Sequence, residues 1–373
     1  MVSDQTVNER LRRALADRYD IQREIGVGGM ATVYLAEDVK HHRQVAVKVL
    51  RSDLAATLGP DRFQREVEIA AQLQHPNILP LYDSGEADGF LFYVMPYVDG
   101  PSLRDRLDKE GELPVQEVVR ILRDVADALA EAHARGVVHR DIKPANILLR
   151  GRHALVADFG VAKAVSEATG RQKLTTMGVA LGTPSYMAPE QASADPHVDH
   201  RVDIYALGAV AYELLTGRPV FMGASAQAIL AAHMTETPKQ VRELRETVPL
   251  ALEQVVMRCL EKKPAGRWQR AEDLLPVLES LSTPSGGVAP TTALRVPTPT
   301  RGLRRLIWPL LAAAAVVVAA VALLSGPEAS LDVEFGRATQ VTTDPGLEIH
   351  PALSPDGNLL AYASGTANRM RVF

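Results

Sequence analysis

Residues 139–146 read His-Arg-Asp-Ile-Lys-Pro-Ala-Asn, and residues 158–160 read Asp-Phe-Gly. The first stretch places the carboxylate of Asp141 where it can accept a proton. Asn146 and Asp158 supply an amide and a second carboxylate, whose oxygens suit a hard cation such as Mg²⁺. A lysine between them adds positive charge. This combination suits transfer of a charged phosphoryl group, because positioning and charge neutralisation supply most of the catalysis of that reaction.

The same two stretches match the catalytic loop and the metal-binding triplet of protein kinases. Other kinase-like stretches follow in the expected order: a glycine-rich turn, Val-Ala-Val-Lys at 45–48 and Ala-Pro-Glu at 188–190. Over residues 19–281 the chain therefore resembles a bacterial, eukaryotic-like Ser/Thr protein kinase of the Hanks type. The resemblance implies an α+β, two-lobed kinase fold, with a small β-rich lobe followed by a larger α-helical lobe.

The resemblance assigns a role to each polar residue of the catalytic loop. Asp141 would orient and deprotonate the substrate hydroxyl. Lys143 would neutralise the γ-phosphate, at a position typical of Ser/Thr rather than Tyr kinases. Asn146 and Asp158 would hold Mg²⁺, for which Mn²⁺ can substitute. His139 would be an apolar packing residue of the loop despite being a histidine.

A nucleotide clamp is implied by Lys48 and by Glu66 on the following helix, with Lys48 binding the α- and β-phosphates of ATP. Glu68 is the weaker candidate because it projects about 200° away on a helix. The alternative is a surface lysine and a solvated helix charge. The remaining positions that the resemblance assigns to ATP binding lie in the glycine-rich turn, the β-strands and the hinge: Ile25, Gly26, Val27, Gly28, Gly29, Met30, Ala31, Thr32, Val33, Ala46, Met95, Pro96 and Val98.

The glycine-rich turn alone is a weak signal, because dinucleotide-binding folds use similar glycines. Such a fold needs a helix directly after the glycines, but residues 32–35 read as a strand. Ala31 stands where kinases have their third glycine. The turn therefore favours the kinase interpretation with one departure from the pattern.

The segment after Asp158 is predicted to be an activation loop, with Thr175 and Thr176 as candidates for autophosphorylation. Arg140 could pair with a phosphothreonine there and order the loop. Met177 stands where the family often has a second threonine, which argues against a double-phosphate switch. Thr183 is interpreted as the residue that contacts the catalytic aspartate and the substrate hydroxyl.

Other charged residues are expected to support the scaffold. Asp203, and Glu190 paired with Arg267, are predicted to be buried and structural. Cys259 is the only cysteine, so an intramolecular disulfide is excluded. It is predicted to be a small buried residue of a helix.

Bulk composition excludes some classes of protein. The formal net charge is -4, whereas a dedicated nucleic-acid binder normally carries a basic excess. Hydrophobic residues make up 46% of the chain, enough for a sizeable core. Global disorder and nucleic-acid binding are therefore not expected.

Residues 306–324 carry no charge and would form a helix of about 28 Å, close to the thickness of a bilayer's hydrocarbon core. The alternative is a buried alanine-rich core helix. Basic residues precede the stretch at Arg295, Arg301, Arg304 and Arg305. Positive charge marks the cytoplasmic side, so the sequence predicts a single-pass membrane protein with a cytoplasmic kinase domain and an extracytoplasmic C-terminus.

The predicted organisation along the chain has five parts. They are an N-terminal helical extension at 1–18, the kinase domain at 19–281, a Pro/Thr-rich basic juxtamembrane linker at 282–305, the transmembrane helix at 306–324 and an extracytoplasmic segment at 325–373. Within the kinase domain, the small lobe is predicted at about 19–96 and the large lobe at about 97–281. The Ser-Pro-Asp-Gly turn at 354–357 resembles the first repeat of a TolB-type, WD40-like β-propeller. One repeat cannot bury its own apolar face, so a propeller cut short is favoured over an unstructured tail.

The sequence thus predicts a membrane-anchored Ser/Thr protein kinase that transfers the γ-phosphate of ATP to proteins and to itself. Expected partners are protein substrates, a second copy bound through the small lobe and an unknown extracytoplasmic ligand. One alternative is a pseudokinase scaffold whose propeller is the working part, which the retained catalytic residues disfavour. Another is a small-molecule phosphotransferase, disfavoured by Lys143 and by the segment at 182–190.

Overall fold

The structure is a computed structural model that describes residues 2–159 and 184–282, together with the backbone of 347–353, 360–366 and 369–372. Contacts divide the chain into two units, residues 1–287 and 288–373. Within the described residues no helix combines the length and apolar character needed to cross a membrane. The predicted span at 306–324 and most of the linker lie outside the described residues.

The first lobe is built on one antiparallel sheet of five strands, in the order β1-β2-β3-β5-β4. Alternating apolar residues give this sheet two buried faces. Its elements are α1 (Val2–Leu15), β1 (Tyr19–Val27), β2 (Ala31–Asp38), β3 (Arg43–Leu50), α2 (Ser52–Leu58), α3 (Pro60–Ala71), β4 (Asp83–Ala87) and β5 (Phe90–Pro96).

The outer face of the sheet is covered by α1. Leu11 and Leu15 are buried in a cluster with Tyr34, Val47 and Phe92. Polar contacts also hold the helix, since the Tyr34 hydroxyl donates to the side-chain oxygen of Asn8 at 2.7 Å. The sequence predicts a short amphipathic, largely polar helix over residues 6–17, and the structure shows that its apolar side belongs to the core.

The inner face carries the alternate residues of the same strands and packs against α2 and α3. Ala46 and Tyr93 of the sheet share a cluster with Phe63 and Val67 of α3. Leu155, from beyond the hinge, belongs to the same cluster. The inner face therefore bounds the cleft between the lobes, where the predicted nucleotide residues lie.

The second lobe is mainly helical. Its core is formed by α5 and α7, whose apolar residues are almost all buried. The elements are α4 (Leu103–Glu110), α5 (Val115–Ala134), β6 (Ile147–Arg150), β7 (His153–Val156), α6 (Pro189–Ala192), α7 (Arg201–Thr216), α8 (Ala226–Thr235), α9 (Val241–Leu244), α10 (Leu250–Cys259) and α11 (Leu275–Ser282). The predicted order of a β-rich lobe and then a helical lobe is confirmed.

The second unit contains a small antiparallel sheet in the order β10-β9-β8. Its strands are β8 (Leu347–Leu353), β9 (Leu360–Thr366) and β10 (Arg369–Val372). Residues 354–359, which include the predicted Ser-Pro-Asp-Gly turn, lie outside the described part of the chain. The resemblance of this unit to a propeller repeat stays a prediction.

Candidate active site

The predicted catalytic loop is anchored by the buried carboxylate of Asp203, in the first turn of α7. One oxygen accepts the backbone N–H of His139 at 2.8 Å and the other that of Arg140 at 2.7 Å. The His133 imidazole lies 2.8 Å from the same carboxylate. Burial alone would raise the pKa of Asp203, but hydrogen bonding to His133 and nearby charges outweigh it and lower that pKa.

The hydrogen bonds to Asp203 hold Arg140 in an unfavourable backbone conformation. Arg140 has a φ of 67°, in the left-handed region that side chains other than glycine rarely adopt. Its carbonyl accepts a hydrogen bond from the amide of Gln191 at 3.0 Å. Strained backbone held by fixed partners is typical of functional loops.

His139 is a packing residue, as predicted. It is buried, its Nε2 lies 2.8 Å from the carbonyl of Ala157, and its ring meets Phe159 edge-on with centroids 4.7 Å apart. The ring therefore connects the loop at 139–146 to the stretch that carries Asp158. These contacts bring the two predicted catalytic stretches together.

Asp141, Lys143 and Asn146 form one hydrogen-bonded group. Lys143 Nζ donates to Oδ2 of Asp141 at 2.7 Å. The amide nitrogen of Asn146 donates to the carbonyl oxygen of Asp141 at 2.8 Å and to its Oδ2 at 3.1 Å. Both side-chain donors therefore engage Oδ2 of Asp141, and the predicted role of this carboxylate as a proton acceptor stays a prediction.

The residues predicted to bind Mg²⁺ fit that role chemically. Because the amide nitrogen of Asn146 is committed to Asp141, its oxygen is left to face a cation. Asp158 has a φ of 70°, and its side chain is partly buried, with 16% exposed. Burial alone would raise its pKa, but the Lys48 ammonium outweighs this and keeps that pKa below the ordinary value, so the carboxylate carries the negative charge that a metal ligand needs.

Lys48 lies against Asp158, with Nζ 2.5 Å from Oδ2. The hydroxyl of Tyr93 donates to the other oxygen, Oδ1, at 2.7 Å. Glu66 is half-buried on α3 and lies one turn after Phe63, which packs on Tyr93. The predicted Lys48–Glu66 pair stays a prediction, whereas the Lys48–Asp158 contact is a finding.

The residues assigned to the nucleotide pocket are gathered in the small lobe. Ile25, Met30 and Val33 pack on the inner-face cluster that contains Ala46 and Met95, and Val98 belongs to it as well. The turn between β1 and β2 is closed by a hydrogen bond from the Gly28 N–H to the Ala31 carbonyl at 2.9 Å. The strand after the glycines, β2, excludes the dinucleotide-binding alternative, which requires a helix there.

Comparison with known proteins now decides the family. Residues 19–276 match the protein kinase domain model. The chain belongs to the protein kinase family.

The kinase domain is similar to curated bacterial kinases. It is 43% identical to serine/threonine-protein kinase PknB of Mycobacterium leprae over 268 residues, and 42% identical to PknB of Mycobacterium tuberculosis H37Rv. Identity to serine/threonine-protein kinase PrkC of Bacillus subtilis is 40% over 264 residues. These matches cover 70% of this chain, and the chain spans 40–42% of the length of those relatives.

Two groups in the kinase site were not predicted from the sequence. Tyr93 and His133 reach Asp158 and Asp203, respectively. The strand alternation places Tyr93 on the same face as its neighbour Met95, which could have suggested proximity to the cleft. No sequence pattern connects His133 with Asp203, because these residues lie on different helices.

Several predicted residues cannot be compared with the structure. Thr175, Thr176 and Thr183 lie within 160–183, outside the described residues. The scaffold predictions do fall in the described part and are confirmed. Arg267 is fully buried and makes a two-fold hydrogen bond to Glu190, with distances of 2.6 and 2.7 Å.

Proposed function

We propose that this chain is an ATP-dependent protein kinase that phosphorylates Ser and Thr residues of proteins. The observation that supports it most directly is the hydrogen-bonded group formed by Asp141, Lys143 and Asn146 at the cleft. The Lys48–Asp158 pair lies next to this group, because the rings of His139 and Phe159 pack together. The similarity to proteins named serine/threonine-protein kinases supports the choice of acceptor.

The reaction assigns one task to each side chain. Oδ1 of Asp141 accepts the proton of the substrate hydroxyl as that oxygen forms its bond to the γ-phosphorus of ATP. The bond from this phosphorus to the bridging oxygen breaks, and ADP leaves. Lys143 offsets the charge on the phosphoryl oxygens during transfer. Mg²⁺, or Mn²⁺, held by Asn146 and Asp158 supplies further charge neutralisation when bound.

A phosphorylation assay with the full chain, purified in mild detergent, tests this function. With ATP and Mg²⁺ the wild type should incorporate phosphate into itself and into a Ser/Thr protein substrate. Asp141→Asn should lower the rate at least about 100-fold, because the general base is lost. Lys48→Met should be similarly inactive, whereas Asp127→Asn, on the exposed side of α5, should keep wild-type activity.

A wild-type chain that incorporates no phosphate, while it remains folded, would contradict the proposal and favour a catalytically weak scaffold. Phosphopeptide mapping of active protein extends the test to autophosphorylation. We expect the modification at Thr175, with Thr176 as the second candidate. An unmodified 170–185 peptide from active enzyme would refute this assignment.

We also propose that residues 306–324 anchor the kinase in the cell membrane, with the kinase domain in the cytoplasm and 325–373 outside. The support is the uncharged stretch and the arginines before it. The chain should stay with membranes after alkaline washing, and in intact cells protease should reach the C-terminal segment but not the kinase domain. Release by the wash, or cleavage of the kinase domain, would refute it.

Two partners remain proposals of the same kind. An extracytoplasmic ligand would act on 325–373, and a second copy would bind through the small lobe. Because α1 already packs on the outer face of the sheet, a dimer would use the surface that α1 leaves exposed. Sedimentation velocity of the full chain in detergent distinguishes a monomer from a dimer.

A further inference from the structure

Asp158 receives hydrogen bonds from two neighbouring strands of the small lobe. Lys48 of β3 and Tyr93 of β5 are direct partners in the sheet register. Residues paired in this way project from the same face, so both side chains enter the cleft. Lys48 Nζ lies 2.5 Å from Oδ2 of Asp158, and the Tyr93 hydroxyl lies 2.7 Å from Oδ1. Each oxygen of this carboxylate therefore has a donor from the protein itself.

Tyr93 is held rigidly enough to fix the direction of that hydrogen bond. Its side chain is 0% exposed, and its ring packs on Phe63 of α3 with centroids 6.5 Å apart. The Lys48 ammonium also lies 5.8 Å from the centre of the same ring. A phenol fixed by a strand, a helix and a cation has little freedom to turn its hydroxyl away from Asp158.

We propose that Tyr93 is a positioning residue for Asp158, and that its hydroxyl competes with the metal ion of the nucleotide complex for Oδ1. This inference rests on the proposed kinase function, which makes Asp158 a metal ligand. Hydrogen bonds to a charged group are stronger than those between neutral groups. Metal binding at Oδ1 therefore requires the Tyr93 hydroxyl to release or share the oxygen to which it donates in this structure.

Calorimetric titration of ADP into the full chain in detergent, with EDTA or with increasing Mg²⁺, tests the competition. Tyr93→Phe keeps the ring and removes only the donor. With EDTA, wild type and variant should bind ADP equally. With Mg²⁺, the variant should need about ten- to hundredfold less metal for half-maximal ADP binding, because the lost hydrogen bond no longer opposes the metal.

The matched control is Tyr19→Phe, which removes a similar hydroxyl from a different carboxylate. The Tyr19 hydroxyl donates to Asp83 at 2.7 Å, at the start of β4. This variant should show the metal requirement of the wild type. A Tyr93→Phe protein with an unchanged or greater metal requirement would overturn the inference. A wild type that binds no ADP at all would overturn the proposed function and, with it, this inference.

A second measurement follows the Tyr93 hydroxyl directly by spectroscopy, with Asp158 left unchanged. Ultraviolet resonance Raman difference spectra, taken as wild type minus Tyr93→Phe, isolate the phenol of Tyr93. Adding Mg²⁺ and ADP should weaken the donor character of that phenol, while ADP with EDTA should not. Identical spectra in the two conditions would mean that the hydroxyl does not yield to the metal, contrary to the proposal.

Discussion

The fully buried Asp203 holds the backbone of the candidate catalytic loop in place. Its two oxygens each accept a backbone N–H, from His139 and Arg140, and thereby hold the strained φ of Arg140. An asparagine offers one oxygen instead of two, so one of these buried N–H groups would face an amide NH₂. The loop before Asp141 would lose a fixed partner.

We predict that Asp203→Asn lowers the free energy of unfolding by about 2–3 kcal/mol, the cost of leaving a buried donor unsatisfied. Urea denaturation of the full chain in detergent measures this. Asp199→Asn is the matched control, because Asp199 is 39% exposed, lies two residues before the same helix and pairs with Arg201. Equal losses in the two variants would contradict the role given to Asp203.

His233 should make the protein sensitive to mild acid. The ring is buried, and its Nδ1 lies 2.8 Å from the hydroxyl of Tyr205. Burial, and then the neighbouring Lys262 ammonium, lower the pKa of His233 from 6.5 to about 4. Since the unfolded chain takes up a proton first, stability should be full above pH 6.5 and fall as the pH drops towards 4.

The corresponding variant is His233→Gln, whose side chain can form a hydrogen bond with Tyr205 but does not titrate. We expect the wild type to lose roughly 3 kcal/mol more than this variant between about pH 7 and pH 4. Urea unfolding across that pH range gives the comparison. His197→Gln, at a side chain that is 90% exposed, should behave like the wild type. A parallel pH dependence of wild type and His233→Gln would refute the prediction.

The candidate catalytic residues are easier to predict from the sequence than the residues that support them. Asp141, Asn146 and Asp158 lie in short stretches whose residue types and spacing carry the resemblance, so these residues could be proposed from the sequence alone. Tyr93 and His133 act through contacts between separate elements, and nothing in the local sequence encodes such contacts. Asp203 was predicted to be buried, but its two backbone partners depend on how α7 meets the catalytic loop.

At the scale of elements, the close approach of α7 and α10 depends on Gly208. A Cβ at this position would lie 2.5 Å from the Cβ of Cys259 and 3.3 Å from Cγ of Leu260. Alanine is favoured over glycine in a helix by about 1 kcal/mol. The clash should outweigh that gain, because overpacking a tight core costs about 1–3 kcal/mol.

Gly208→Ala should therefore lower the midpoint of thermal unfolding, measured by calorimetry. Cys259→Ala should not rescue it, since the clashing Cβ is retained. Gly85→Ala is a control in which the new Cβ meets only ordinary contacts, the nearest at 3.5 Å to the ring of Phe92. Unchanged stability of Gly208→Ala would show that α7 and α10 separate easily.

The bounds of a few elements follow from periodicity in the sequence. It predicts strands over 19–25, 31–37 and 44–50 and a helix over 115–134, and the structure has Tyr19–Val27, Ala31–Asp38, Arg43–Leu50 and Val115–Ala134. Periodicity works here because each element buries one regular face. The amphipathic pattern of residues 6–17 predicts a helix with one apolar side, but it does not indicate that Leu11 and Leu15 pack on the sheet.

At the scale of the whole molecule, the division after Gly287 predicts two separable units. Residues 1–287 alone should unfold within about 2 °C of the corresponding transition in the full chain, because this unit contains its own hydrophobic clusters. Differential scanning calorimetry of both proteins measures this. A drop of more than about 5 °C would mean that residues 288–373 stabilise the kinase unit.

The helix α1 affects how this protein should be produced. Family resemblance begins at residue 19, so a gene trimmed to the matched region would encode a protein without α1. Such a protein would expose Tyr34, Val47 and Phe92 as an apolar surface on the sheet. We expect it to be poorly soluble or to self-associate. Self-association of the trimmed protein would result from the loss of α1 and would say nothing about dimers of the full chain. The gene should therefore keep the codons from Val2 onward.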